Sequence, residues 1–95
     1  MKKSSMSMEE ARDEIDDANR KIVGDVRDRM DAVLKVVNHK SRENLEIRDR
    51  EREEEVKHQF EELFDKKNMP SERGRELAEV MIETAVDIQE DVLER

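Results

Sequence analysis

The stretch SMEEARDEIDDANRKIVGDVRDRMDAVLKVVNHK, residues 7 to 40, decides the fold. Its apolar residues Ala11, Ile15, Ala18, Ile22, Val26, Val33, Val36 and Val37 recur at steps of three and four, which draws one stripe along a long amphipathic helix. Ser7 and Glu10 have the S-x-x-E spacing of a capping box, so this helix starts beside them and is expected over residues 8–41. Gly24 interrupts the helix without ending it, at a cost of about 1 kcal/mol relative to Ala. On the N-terminal side, residues 1–6 are polar, Ser-rich and aperiodic, and are expected to be a disordered tail. On the C-terminal side the period is lost from Ser41 to Arg48, which reads as a loop. Asp49 is placed as the N-cap of a second helix, expected over 49–67, with Val56, Phe60, Leu63 and Phe64 as its stripe. Glu51 and Glu53 to Glu55 suit the positive end of its dipole. Asn68-Met69-Pro70-Ser71 is the clearest break, because Pro70 cannot continue a helix and biases Met69 away from helical geometry. A third helix, expected over 71–94, carries Leu77, Ala78, Met81, Ile82, Ala85, Ile88, Val92 and Leu93. No strand-like alternation competes, so the predicted class is all-α.

Size and charge narrow the rest. The chain has 95 residues, 27 acidic against 19 basic, for a net charge of −8. That is one domain, and with two Phe and no Trp or Tyr it lacks the rings that usually fill a core. A first helix of roughly 33 residues is about 50 Å long, against some 27 Å for the second. One chain cannot cover its own long stripe, so a helical homodimer is predicted, in which folding and association are one event and the six Met fill irregular gaps. The absence of Cys excludes disulfides, thiolate metal sites and Cys nucleophiles and suits a reducing compartment. No apolar run approaches a membrane span or signal-peptide core, and the acidic surplus argues against binding a phosphate backbone. The expectation is a cytoplasmic protein without nucleic-acid or membrane partners.

The informative positions are polar groups on apolar stripes, since a buried charge is costly unless paired. With Ile22 at the centre of the first helix's inner face, Arg29 falls within about 20° of it, Lys40 at about 0° and Arg12 at its edge, roughly 80° away. Glu53 lies about 20° from Phe60 on the second helix, and Gln89 about 40° from Ala85 on the third. One such cation is most often a snorkelling side chain or an interhelical ion pair. Together these positions make poor core design but good binding-site design. His39 and His58 have no second ligand at metal spacing, and no Ser has the His-acid company of a nucleophile, so no metal or cofactor is expected.

The order of Arg12, Arg29, Lys40, the segment Ile47-Arg48-Asp49-Arg50-Glu51-Arg52-Glu53 with its D-x-x-R-E, and finally Gln89, resembles the all-helical class (type II) of chorismate mutase. The resemblance runs without a gap from about Ala11 to Leu93. It implies an intertwined homodimer of three-helix protomers with a long first helix, each site completed by an Arg from the other chain. The implied reaction is the rearrangement of chorismate to prephenate, on the shikimate route to phenylalanine and tyrosine, with no cofactor. By position, Arg29 and the partner's Arg12 resemble carboxylate clamps. Lys40 resembles the cation shared between a carboxylate and the ether oxygen, and Gln89 the second donor to that oxygen. Glu53, helped by the Asp49 backbone, resembles the acceptor of the ring hydroxyl; Arg52 is a further cation near the second carboxylate. Val36, Ile82 and Val86 resemble the apolar walls. Ala85 stands where many members have a Ser that touches a carboxylate, so that contact is absent or supplied by Thr84, a backbone amide or water. Asn19 replaces a common Asp. With Gln rather than Glu as the donor, the implied rate is nearly flat across neutral pH. The rival readings are isochorismate pyruvate lyase on the same fold and a non-catalytic helical dimer whose inward charges fix register.

Overall fold

The computed structural model describes residues 7–42 and 48–93; the side chains of residues 38 to 42 and of residue 93 lie outside that description. Within it are three helices: α1 (Met8–Arg42), α2 (Arg50–Lys66) and α3 (Ser71–Leu93). The expected tail, and most of the expected loop before Arg48, fall outside the described residues.

Local chemistry sets each helix end. The Ser7 N–H donates to Glu10 Oε1 at 3.0 Å and the Glu10 N–H to Ser7 Oγ at 3.1 Å, the reciprocal bonds of a capping box. Asp49 caps α2 by accepting from the Arg52 N–H at 3.1 Å. At the other end of α2 the Asn68 N–H donates to the Asp65 carbonyl and the Met69 N–H to the Phe64 carbonyl, a Schellman closure. It requires a left-handed residue, and Asn68 supplies it with φ of 60°. Pro70 follows, so α3 leaves in a new direction.

α2 and α3 form a tightly packed helical hairpin, and α1 lies against α3; among the described residues the backbones of α1 and α2 do not approach closely. Val56 of α2 packs with Ala78 and Ile82 of α3, with Phe60 against them, and burial of each large aliphatic stabilises by about 1.5–3 kcal/mol. α1 adds Met30 and Val37 to the interior. Met30 stands outside the stripe drawn from sequence, because α1 presents only its C-terminal half to α3 and does so slightly rotated. The N-terminal half of the stripe is bare: Ile15 and Ile22 are each 57% exposed in the single chain. Leu63 and Leu77, also expected inside, are about half exposed for a similar reason, lying at the outer margin of the hairpin. The result is elongated, 64 × 27 × 15 Å, with a radius of gyration of 17.6 Å; a compact chain of this length has one of about 12 Å.

The two glycines sit in opposite surroundings. A Cβ on Gly74 would lie 2.5 Å from the Phe60 carbonyl oxygen and 2.8 Å from the Phe64 ring, whereas one on Gly24 meets nothing within 4 Å. Gly74→Ala is therefore expected to lower stability by about 2 kcal/mol, overpacking outweighing the gain in helix propensity. Gly24→Ala is expected to raise it by about 0.5–1 kcal/mol. Urea titrations at one fixed protein concentration measure both, and equal signs would contradict this packing.

Candidate active site

Because α1 and α2 both rest on α3 without close approach of their backbones, a wedge opens between them, a cleft of about 320 Å³, within the range that holds a small molecule. Each helix lines it with one face. α1 gives Arg29, Ala32, Val33 and Val36; the start of α2 gives Asp49, Arg52, Glu53 and Val56; α3 gives Ile82, Ala85, Val86 and Gln89. These are steps of three, four and seven, the spacing that keeps residues on one side of a helix. Most of the lining is apolar, and the polar groups converge from three directions.

Arg29 is half-buried, and among the described residues no carboxylate pairs with it. Burial, then the neighbouring charge of Arg52, pushes its pKa below the ordinary arginine value; a guanidinium remains charged all the same. An unpaired cation against an apolar wall is a place for an anion. Arg52 reaches Glu55 at 3.2 Å from an exposed position on the rim. The Asp49 carboxylate is engaged in capping α2.

Glu53 is only 12% exposed and is held by Arg48, which donates from Nε to Oε2 and from Nη2 to Oε1, both at 2.9 Å. The Arg48 hydrogen bonds hold the Glu53 carboxyl below the usual carboxylate range, against the opposing effect of burial. Gln89 is 6% exposed. Its Nε2 donates to the Ala85 carbonyl at 3.1 Å, leaving the second N–H of that amide uncommitted, and Oε1 is buried with no partner among the described residues. An orphaned buried acceptor costs about 1–3 kcal/mol. That cost lies within the fold; what the amide still offers a ligand is its second N–H.

The cleft thus gathers Arg29, Val36, Asp49, Arg52, Glu53, Ile82, Ala85, Val86 and Gln89 of the residues singled out from sequence. Arg12 is not among them: it is exposed on the bare half of α1, about 26 Å along the helix from Arg29. Lys40 belongs to α1, about 20° around the helix from Arg29, and its side chain lies outside the described residues. Thr84 does not stand in for the missing Ser hydroxyl, since its Oγ1 donates back to the Val80 carbonyl at 2.7 Å. Val33 and Val56 were legible only as stripe residues, Ala32 carried no sequence signal, and Arg48 was legible only as part of a motif. It precedes α2, where no helical wheel applies; its one advance signal is a carboxylate five residues on. Among the described residues no group of three or more His, Cys, Asp and Glu side chains could hold a metal ion, and no helix is long and apolar enough to cross a membrane.

Residues 11–90 match the model of the family described as chorismate mutase type II. No curated protein and no solved structure matches the chain.

Proposed function

Since the chain belongs to the type II chorismate mutase family, we propose that it converts chorismate to prephenate in the cleft between α1 and α2. The observation that carries this reading is Arg29, a half-buried cation without a carboxylate partner among the described residues, opposite a buried Gln89 whose amide is not fully used.

The reaction is a unimolecular rearrangement, with one C–O bond breaking as a C–C bond forms. It calls for no nucleophile. A catalyst must hold a flexible dicarboxylate in its compact conformer and stabilise the charge that grows on the ether oxygen. Arg29 clamps one carboxylate through its planar fork, with Arg52 near the second. Lys40 and the free Gln89 N–H converge on the ether oxygen, the contacts that strengthen most in the transition state. Glu53 accepts the ring hydroxyl, and Val36, Ile82 and Val86 pack on the ring. A second copy covers the bare face of Ile15, Ile22 and Val23, and brings its Arg12 to the open side of the cleft as a further clamp. This homodimer accounts for an exposed apolar stripe that would be a liability on a free monomer.

The test is loss of chorismate absorbance with the purified chain beside a Lys40→Ala variant of matched helicity. Rapid loss by the parent and a fall of about 10³-fold in kcat in the variant are expected. A folded parent that leaves chorismate unchanged but releases pyruvate from isochorismate would move the assignment to the lyase. A folded parent inert to both would leave the interaction module.

A further inference from the structure

Glu53 is the one carboxylate that lines the cleft from within α2, and its oxygens are nearly all spoken for. A carboxylate offers about four acceptor lone pairs. Oε1 takes two donors, Arg48 Nη2 at 2.9 Å and Arg50 Nη1 at 3.3 Å; Oε2 takes one, Arg48 Nε at 2.9 Å. One lone pair on Oε2 is left. Arg48 also donates from Nη2 to Glu83 Oε2 of α3 at 2.9 Å, so the same guanidinium joins the start of α2 to the opposite helix of the hairpin.

We propose that Arg48 is a positioning residue for Glu53: its fork fixes the carboxylate plane so that a single acceptor on Oε2 is presented to the ligand's hydroxyl, and its bond to Glu83 anchors that plane to α3. This rests on the mutase reading, in which Glu53 meets the ring hydroxyl. A carboxylate on a free side chain sweeps a cone of orientations and offers its oxygens interchangeably. Held by a two-point fork it presents one direction, and the entropy of choosing it has already been lost in folding. The hydroxyl sits on the ring carbon beside the one whose C–O bond breaks, but no bond to it is made or broken, so this grip acts mainly on binding and appears chiefly in KM.

The charged groups around Glu53 are Arg48 before α2, Arg50 and Lys57 on α2 itself, Glu83 on α3 behind Arg48, and Arg29 and Arg52 at the cleft. Arg48 is the largest influence holding the Glu53 carboxyl ionised, while burial opposes it. Removal of Arg48 therefore raises the Glu53 pKa, so that protonation, and loss of the acceptor, begins at a higher pH.

Steady-state kinetics with chorismate from pH 4.5 to 8 would test this on the parent, Arg48→Ala, Arg48→Lys and Glu83→Gln, each checked for parental helicity. Arg48→Ala is expected to raise KM about tenfold with kcat within threefold, the partial loss of one charge-assisted hydrogen bond, and to move the acid limb of kcat/KM toward neutral. Arg48→Lys keeps the charge and loses the fork, so it should return the acid limb only part of the way while KM stays raised. Glu83→Gln should raise KM less and leave the limb in place. A folded Arg48→Ala with parental KM, or a raised KM with an unmoved limb, overturns the proposal while the mutase reading stands. A parent that does not turn over chorismate removes that reading and this one with it.

Discussion

Arg29→Ala is expected to lower kcat/KM for chorismate about a thousandfold, or ~4 kcal/mol, with thermal stability at fixed protein concentration unchanged or slightly raised. Both halves follow from the geometry. The guanidinium is half-buried, burial already lowers its pKa, and no carboxylate among the described residues pairs with it. Among the described residues its charge makes no ion pair that would hold the chain folded, and its burial costs some desolvation. The same desolvation makes it a strong partner for a ligand carboxylate, which meets a cation already stripped of part of its water. Arg29→Lys should recover only part of the loss, since a point charge lacks the two parallel donors. Were Arg29 a register-fixing ion pair of a non-catalytic dimer, the Ala variant would lose several kcal/mol of stability instead. A melting curve run beside the kinetics separates the two.

Gln89→Glu should change the pH dependence as well as the rate. The parent donor is a neutral amide, so its rate should be nearly flat from pH 6 to 8. A carboxylate in its place cannot donate and repels the charge growing on the ether oxygen; only the protonated form works. At pH 7.5 the variant is expected to lose about 10²–10³-fold in kcat, the size typical for one removed oxyanion donor. Burial raises the pKa of a carboxyl at this site while nearby Arg29 lowers it. Activity should therefore climb as pH falls through that pKa, toward the acid limit of the assay. Gln89→Ala should show a loss of similar size with no such climb. A Gln89→Glu variant as active as the parent at pH 7.5 would remove Gln89 from the chemistry.

The sequence carries the fold class because the features that mark helices are local. The Ser7–Glu10 box, the Asp49 cap and Pro70 each act within four residues, and each does in the structure what its chemistry implies. A helical wheel tells which face is apolar and says nothing of what that face meets. Thus Ile15 and Val37 belong to the same stripe in sequence, yet one is bare and the other is buried. Gly74 belongs to no motif, and its need for hydrogen rather than methyl appears only when Phe60 and Phe64 cross it. The inward polar residues stood out because each breaks a stripe, and most of them meet at one cleft. Arg48 escaped because its role depends on the extended lead into α2 and on Glu83, thirty-five positions away in the chain.

The wedge itself has a mechanical consequence. Its two jaws are mounted separately on one beam, α3, since the backbones of α1 and α2 do not approach closely among the described residues. The span between Arg29 on one jaw and Glu53 on the other is then set by what lies beneath each: Met30 and Val37 under α1, Val56 under α2. A smaller residue at 30 lets one jaw settle, carrying Arg29 with it, while Glu53 on the counterpart stays in place and no gripping side chain is itself replaced. The bite of the site can thus be recalibrated to a longer or shorter diacid from behind.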